Sequence, residues 1–135
     1  MRPVPAAAAI LPVIMLRRRL LIVAVRGHSM EPTYRDGEQL LARRVPTTRR
    51  GDVVVLAPHA PPVNLQWLIK RVAGTAGDPV PACVAQARPE LADVIIPPGY
   101  LAVLGDNLAS SHDSRHQGLV RANRVRAVVL KPLTP

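Results

Sequence analysis

"NLQWLIKRVAG", residues 64–74, is the stretch on which the reading of this chain turns. Its β-branched and aromatic members suit a strand rather than a helix. A strand here puts Leu68, Lys70 and Val72 on one face, so a lysine amine shares an apolar side. Working outward, "GDVVVLAP" (51–58) and "EQLLARRV" (38–45) read as further strands, joined by the turn-rich link "PTTRRGD" (46–52). "LLIVAV" (20–25) is a buried strand by composition, and "NRVRAVVL" (123–130) alternates charged and apolar residues. "DVIIPPGYLAVLGDN" (93–107) is expected to hold two short strands broken by Pro-Pro-Gly.

Composition points the same way. The 135 residues are 48% hydrophobic but 2% aromatic, with no Phe, so the core must be built from Val, Leu, Ile and Ala. Fifteen prolines and eight glycines are too many for a helical bundle and suit short strands joined by turns. No helix of three or more turns is expected after residue 20, and no internal repeat is present. The expected fold is all-β, of short and mostly antiparallel strands over residues 20–135.

Residues 3–16, "PVPAAAAILPVIML", are apolar and uncharged but carry three prolines. A full helical span needs roughly 20 residues. The segment, with its basic flank through Arg19, reads as a membrane anchor or surface contact; a cleaved signal peptide is the alternative. The net charge of +9 invites a nucleic-acid reading. That reading lacks a helix-turn-helix spacing, a metal-ligand cluster and an aromatic platform, so nucleic acid is not expected as a partner. Cys83 is the only cysteine, which excludes an internal disulfide and a thiolate zinc site. It reads as a half-buried small residue.

Chemistry concentrates at three places. Ser29 lies in "RGHSMEPTYRDGE" (26–38), where Gly27 permits a bend and Pro32 prevents the bend from continuing as helix. It is either a turn serine or a nucleophile in need of a base and an oxyanion donor. Lys70 is one of only two lysines among 18 basic residues. Unlike arginine, a lysine can be driven toward neutrality by burial, which is what a lysine base requires. "GDNLASSHDSRHQG" (105–118) reads as an elaborate loop. There Asp113 and Arg115 can pair, and the Ser111 hydroxyl can meet an amine. A Ser/His/Asp triad drawing on His28, His59, His112 or His116 with Asp113 is the competing arrangement.

Together "GHSMEPT" (27–33), "RGDVVVL" (50–56), "KRVAGTAGD" (70–78) and "GDNLASSHDSRHQG" (105–118) resemble the type I signal peptidase family, the serine/lysine peptidases. They occur in the family's order. The resemblance implies a signal-peptidase-like β-fold, shared in outline with LexA-like self-cleaving domains. It implies Ser29 as nucleophile and Lys70 as general base, passing through an acyl-enzyme, with the Ser29 N–H as oxyanion donor. Ser111 falls where the family orients the lysine amine. Asp113 and Arg115 fall on its structural ion pair, alongside Gly105, Asp106 and Asn107. Gly27, Met30 and Pro32 fall beside the nucleophile. Some members carry a serine at the position of Gly27 as a second oxyanion donor; Gram-positive-type members have glycine there. The large inserted domain of bigger members is missing, and "PACVAQARPELAD" (81–93) leaves room only for a small excursion.

The function implied is a membrane-associated serine endopeptidase that removes signal or leader peptides, cutting after small residues, with its catalytic domain on the extracytoplasmic side. The implied partners are exported preproteins and membrane lipids; no metal and no cofactor are implied. A dedicated maturation or conjugative-transfer peptidase is the narrower alternative. A catalytically inactive binding relative and a LexA-like regulator are the rivals from other classes. The regulator lacks room for a DNA-binding domain in the 28 residues before Ser29.

Overall fold

The computed structural model describes residues 19–58 and 67–133. The apolar segment 3–16, its flanking Arg17 and Arg18, and His59 lie outside the described residues. Seven strands form one sheet: β1 (Leu20–Ala24), β2 (Gln39–Arg43), β3 (Val53–Leu56), β4 (Leu68–Gly74), β5 (Tyr100–Leu104), β6 (Val120–Arg121) and β7 (Val125–Pro132). Their order is β1-β2-β7-β3-β4-β5-β6, and every neighbouring pair is antiparallel. The fold is all-β, as expected from the sequence. Among the described residues the α-helices α1 (Ala82–Ala87) and α2 (Ser114–Gln117) are short.

β3 explains how a 135-residue chain buries its sheet. All four of its residues are buried, which a strand with one wet face would not show. Val53 and Val55 join one cluster with Val23, Val25, Met30, Leu40, Ala42, Ile69 and Ala127. Val54 and Leu56 join a second cluster, on the opposite side of the strand, with Val72, Leu101, Val103 and Val120. Successive side chains of one strand thus feed two aliphatic cores. β7 is last in sequence but central in the sheet, pairing β2 on one edge and β3 on the other. The ladders shift register at Leu41/Ala42, Val55/Leu56 and Val72/Gly74, the irregularities that bend a sheet.

Of the two strands expected within 93–107, only β5 forms. The other is reduced to a single bridge between Ile95 and Pro79. The prolines explain this: Pro79 has no N–H to give, and Pro97-Pro98 ends the run. α1 and the two-residue β6 were not foreseen. Among the described residues no helix is long and apolar enough to cross a membrane.

Candidate active site

The bend after β1 is built from backbone chemistry. Gly27 adopts φ +82°, a conformation that favours glycine, and its N–H donates to Asp36 Oδ1 at 2.8 Å. The chain then turns, with Tyr34 N–H donating to the Met30 carbonyl at 3.0 Å. Met30 is 1% exposed and anchors the bend in the core, while Pro32 follows on the surface. Ser29, immediately before Met30, is half-buried. Its carbonyl accepts from the Asn107 backbone N–H at 2.8 Å, and the Asn107 side chain donates to the His28 carbonyl at 3.0 Å. One residue of the distant loop therefore grips both peptide groups around Ser29.

Lys70 lies on β4 opposite Val54. It is 5% exposed, so it does not reach out to water as strand lysines commonly do. Desolvation pushes its pKa down from the ordinary lysine value; the Asp113 carboxylate opposes this and the Arg115 cation reinforces it. The ammonium donates to Ser111 Oγ at 2.9 Å, and that hydroxyl donates onward to Asp113 Oδ2 at 2.8 Å. Ser29 and Lys70 share one small cleft of about 60 Å³, lined also by Val25, Arg26, Met30, Trp67, Leu68 and Ile69. No hydrogen bond joins the Ser29 hydroxyl to Lys70 or to another described residue.

Asp113 organises the loop. It is fully buried and takes hydrogen bonds from the Gly105 N–H, the Ser111 hydroxyl and the Arg115 backbone and guanidinium. Burial alone would raise its pKa, but these donors, Arg115 foremost, hold it down at about 2. Its side chain also caps α2, with His116 reciprocating by accepting from the Asp113 N–H. Arg115 extends to the Leu108 carbonyl at 2.8 Å. Gly105 sits where the two halves of the site touch. A Cβ there would fall 2.6 Å from the Ser29 carbonyl oxygen and 2.5 Å from the Ser111 Cβ.

The described histidines are engaged elsewhere. His28 pairs with Glu31 at 2.7 Å, and His112 stacks on His116 with ring centroids 4.7 Å apart. No described histidine is hydrogen-bonded to Ser29. Sequence reasoning missed a second network on the opposite side of β4. Arg71 binds Asp106 through two parallel bonds of 2.9 and 2.8 Å, and Thr33 donates to the same carboxylate at 2.5 Å. Hydrogen bonding to Arg71 lowers the Asp106 pKa. The signal was the Lys-Arg pair itself: neighbours on a strand face opposite ways, so a buried Lys70 sends Arg71 to the other side.

A profile described as "Signal peptidase, peptidase S26" matches residues 3–88 and 81–133. The chain is 34% identical to mitochondrial inner membrane protease subunit 1 of Xenopus tropicalis over 120 residues, covering 84% of this chain and 69% of that protein. It is 33% identical over 115 residues to mitochondrial ATP-independent inner membrane protease subunit 1b of Arabidopsis thaliana, covering 81% and 67%. Against signal peptidase I of Bacillus caldolyticus the identity is 29% over 135 residues, covering 75% and 72%. The profile match takes in the Ser29 bend, β4 and the Gly105–Gly118 loop alike, and the chain belongs to the signal peptidase family, peptidase S26.

Proposed function

We propose that this protein is a membrane-associated serine endopeptidase that removes signal or leader peptides from exported preproteins. The observation that carries the reading is Lys70: a buried amine with a lowered pKa, held by Ser111, in the same cleft as Ser29. Neutral Lys70 takes the Ser29 proton as Oγ attacks the scissile carbonyl, and the Ser29 backbone N–H donates to the oxyanion. Collapse expels the new amino terminus of the mature chain, protonated by Lys70, and leaves an acyl-enzyme. Lys70 then deprotonates the water that hydrolyses the ester, releasing the leader's carboxylate. Ser111 keeps the amine aimed, and Asp113 with Arg115 keeps Ser111 in place.

Substrate docking follows from strand register. β5 pairs with β4 only from Arg71 onward, so the start of β4 at Leu68–Lys70 offers an edge for an extended peptide. The cleft at that edge is far smaller than the roughly 300–1,000 Å³ of ordinary ligand pockets, which favours small side chains at the cut. Trp67 and Leu68 stand partly exposed beside it, as a surface facing a bilayer would. Residues 1–19 serve as the anchor and 20–135 as the peptidase domain, on the extracytoplasmic side. The relatives' names, inner membrane protease and signal peptidase I, support a membrane setting.

The test is cleavage of a preprotein with an Ala-x-Ala site by detergent-solubilised wild type beside Ser29→Ala and Lys70→Ala. Cleavage at that site by wild type alone is the expected result. Equal cleavage by either variant would remove its residue from the mechanism.

A further inference from the structure

Besides Ser29, the cleft is lined by five apolar side chains and two cations, and the two cations are held very differently. Lys70 is buried and tied to Ser111. Arg26, three residues before Ser29, also lines the cleft but is exposed. The described residues include all nine carboxylate side chains of the sequence, and none lies within ion-pair distance of Arg26. The nearby acids have other tasks. Asp36 receives the Gly27 N–H, Glu31 the His28 ring, Glu38 the Arg35 N–H, and Asp106 the Arg71 guanidinium. Nor does Arg26 hydrogen-bond to any described residue.

An exposed arginine with no partner among the described residues, lining a cleft whose other side chains are apolar apart from Ser29 and Lys70, is placed to meet charge that arrives from outside. From this geometry we infer that Arg26 is a specificity-determining residue that selects substrates with an acidic side chain close to the scissile bond. The inference rests on the peptidase reading above and adds a charge rule to its small-residue rule. An acid entering this cleft also comes near Lys70, and a carboxylate there draws the amine toward its protonated form. Pairing with Arg26 neutralises that carboxylate and leaves the base free to act. The guanidinium's planar fork suits a carboxylate, so a lysine replacement restores charge but not the paired hydrogen bonds.

The experiment uses the full chain in detergent with peptides built on one Ala-x-Ala site. Asp, Ala or Arg is placed in turn at three positions on each side of the cut. The readout is the ratio of kcat/KM for acidic over neutral peptides, measured at low and high salt. At one position or more wild type should prefer Asp by about fivefold, less as salt rises, the size of an exposed charge pair. Arg26→Ala should bring that ratio to one, Arg26→Lys should restore part of it, and Arg26→Glu should favour the Arg peptide. No preference at any position in wild type, or a preference that survives Arg26→Ala, overturns the inference and leaves the peptidase reading standing. Failure to cleave every peptide would instead sink the peptidase reading and this inference together.

Discussion

Replacing Lys70 by methionine should abolish cleavage and stabilise the protein in the same step, because the amine is buried against its own solvation preference. The sign follows from proton linkage. A lysine whose folded pKa is lowered binds fewer protons when folded, so its cost is greatest below the folded pKa. That cost fades as pH rises toward the unfolded value of 10.5. The Lys70→Met variant should therefore be more stable than the wild type near neutrality, read as a raised Tm. The gain should shrink toward alkaline pH, which thermal melts across a pH series will check. The same shift shapes catalysis: kcat/KM should climb with pH and level off below 10.5 as Lys70 loses its proton. Lys70→Arg should be as inactive as Lys70→Ala, since arginine cannot act as base. Ser29→Ala combined with Lys70→Ala should cost little more than either alone, because the two work as a unit.

Among the elements, the Gly105–Gly118 loop decides how the site is held. Gly105→Ala forces a methyl group between the Ser29 carbonyl and Ser111, and neither can retreat without moving a buried neighbour. A misplacement of about 1 Å is worth on the order of a hundredfold in rate, so kcat should fall by that much while the circular dichroism spectrum stays β. Asp113→Asn should destabilise by about 3 kcal/mol, since it strips the Arg115 cation of its buried partner. The wild type should lose stability as pH falls from about 3.8 toward 2, the window between the unfolded and folded pKa of Asp113. Acid titration of the Asn variant should show that slope reduced. The sequence made much of this element readable: Gly-Asp-Asn and Asp-Ser-Arg in a polar run after a strand announce an ordered loop. The strands were readable for the same kind of reason, since Val-Val-Val or Leu-Leu-Ile-Val carries its preference locally. α1 was not, because six residues with only Val84 buried give no helical period. The first strand of 93–107 failed because its preference is local while pairing requires a partner, and the partner is Pro79. The Arg71–Asp106 pair spans 35 residues: the Lys-Arg step tells which way Arg71 faces, but not which acid it meets.

At the scale of the molecule, two aliphatic cores share β3, so a single cavity there should be felt across the sheet. Leu56→Ala, at a fully buried position, should cost about 3 kcal/mol in a denaturant melt. The same sheet sets when the protein can first act. Ser29, Lys70 and Ser111 arrive on the growing chain one after another, each 41 residues after the last in sequence. The sheet that aligns them closes only when β7 slots between β2 and β3. Until then β1–β2 and β3–β6 are not joined by strand pairing, and Ser29 and Lys70 lie on opposite sides of that gap. On the proposed mechanism, a chain that has not yet made β7 carries Ser29 and Lys70 without the complete sheet that aligns them.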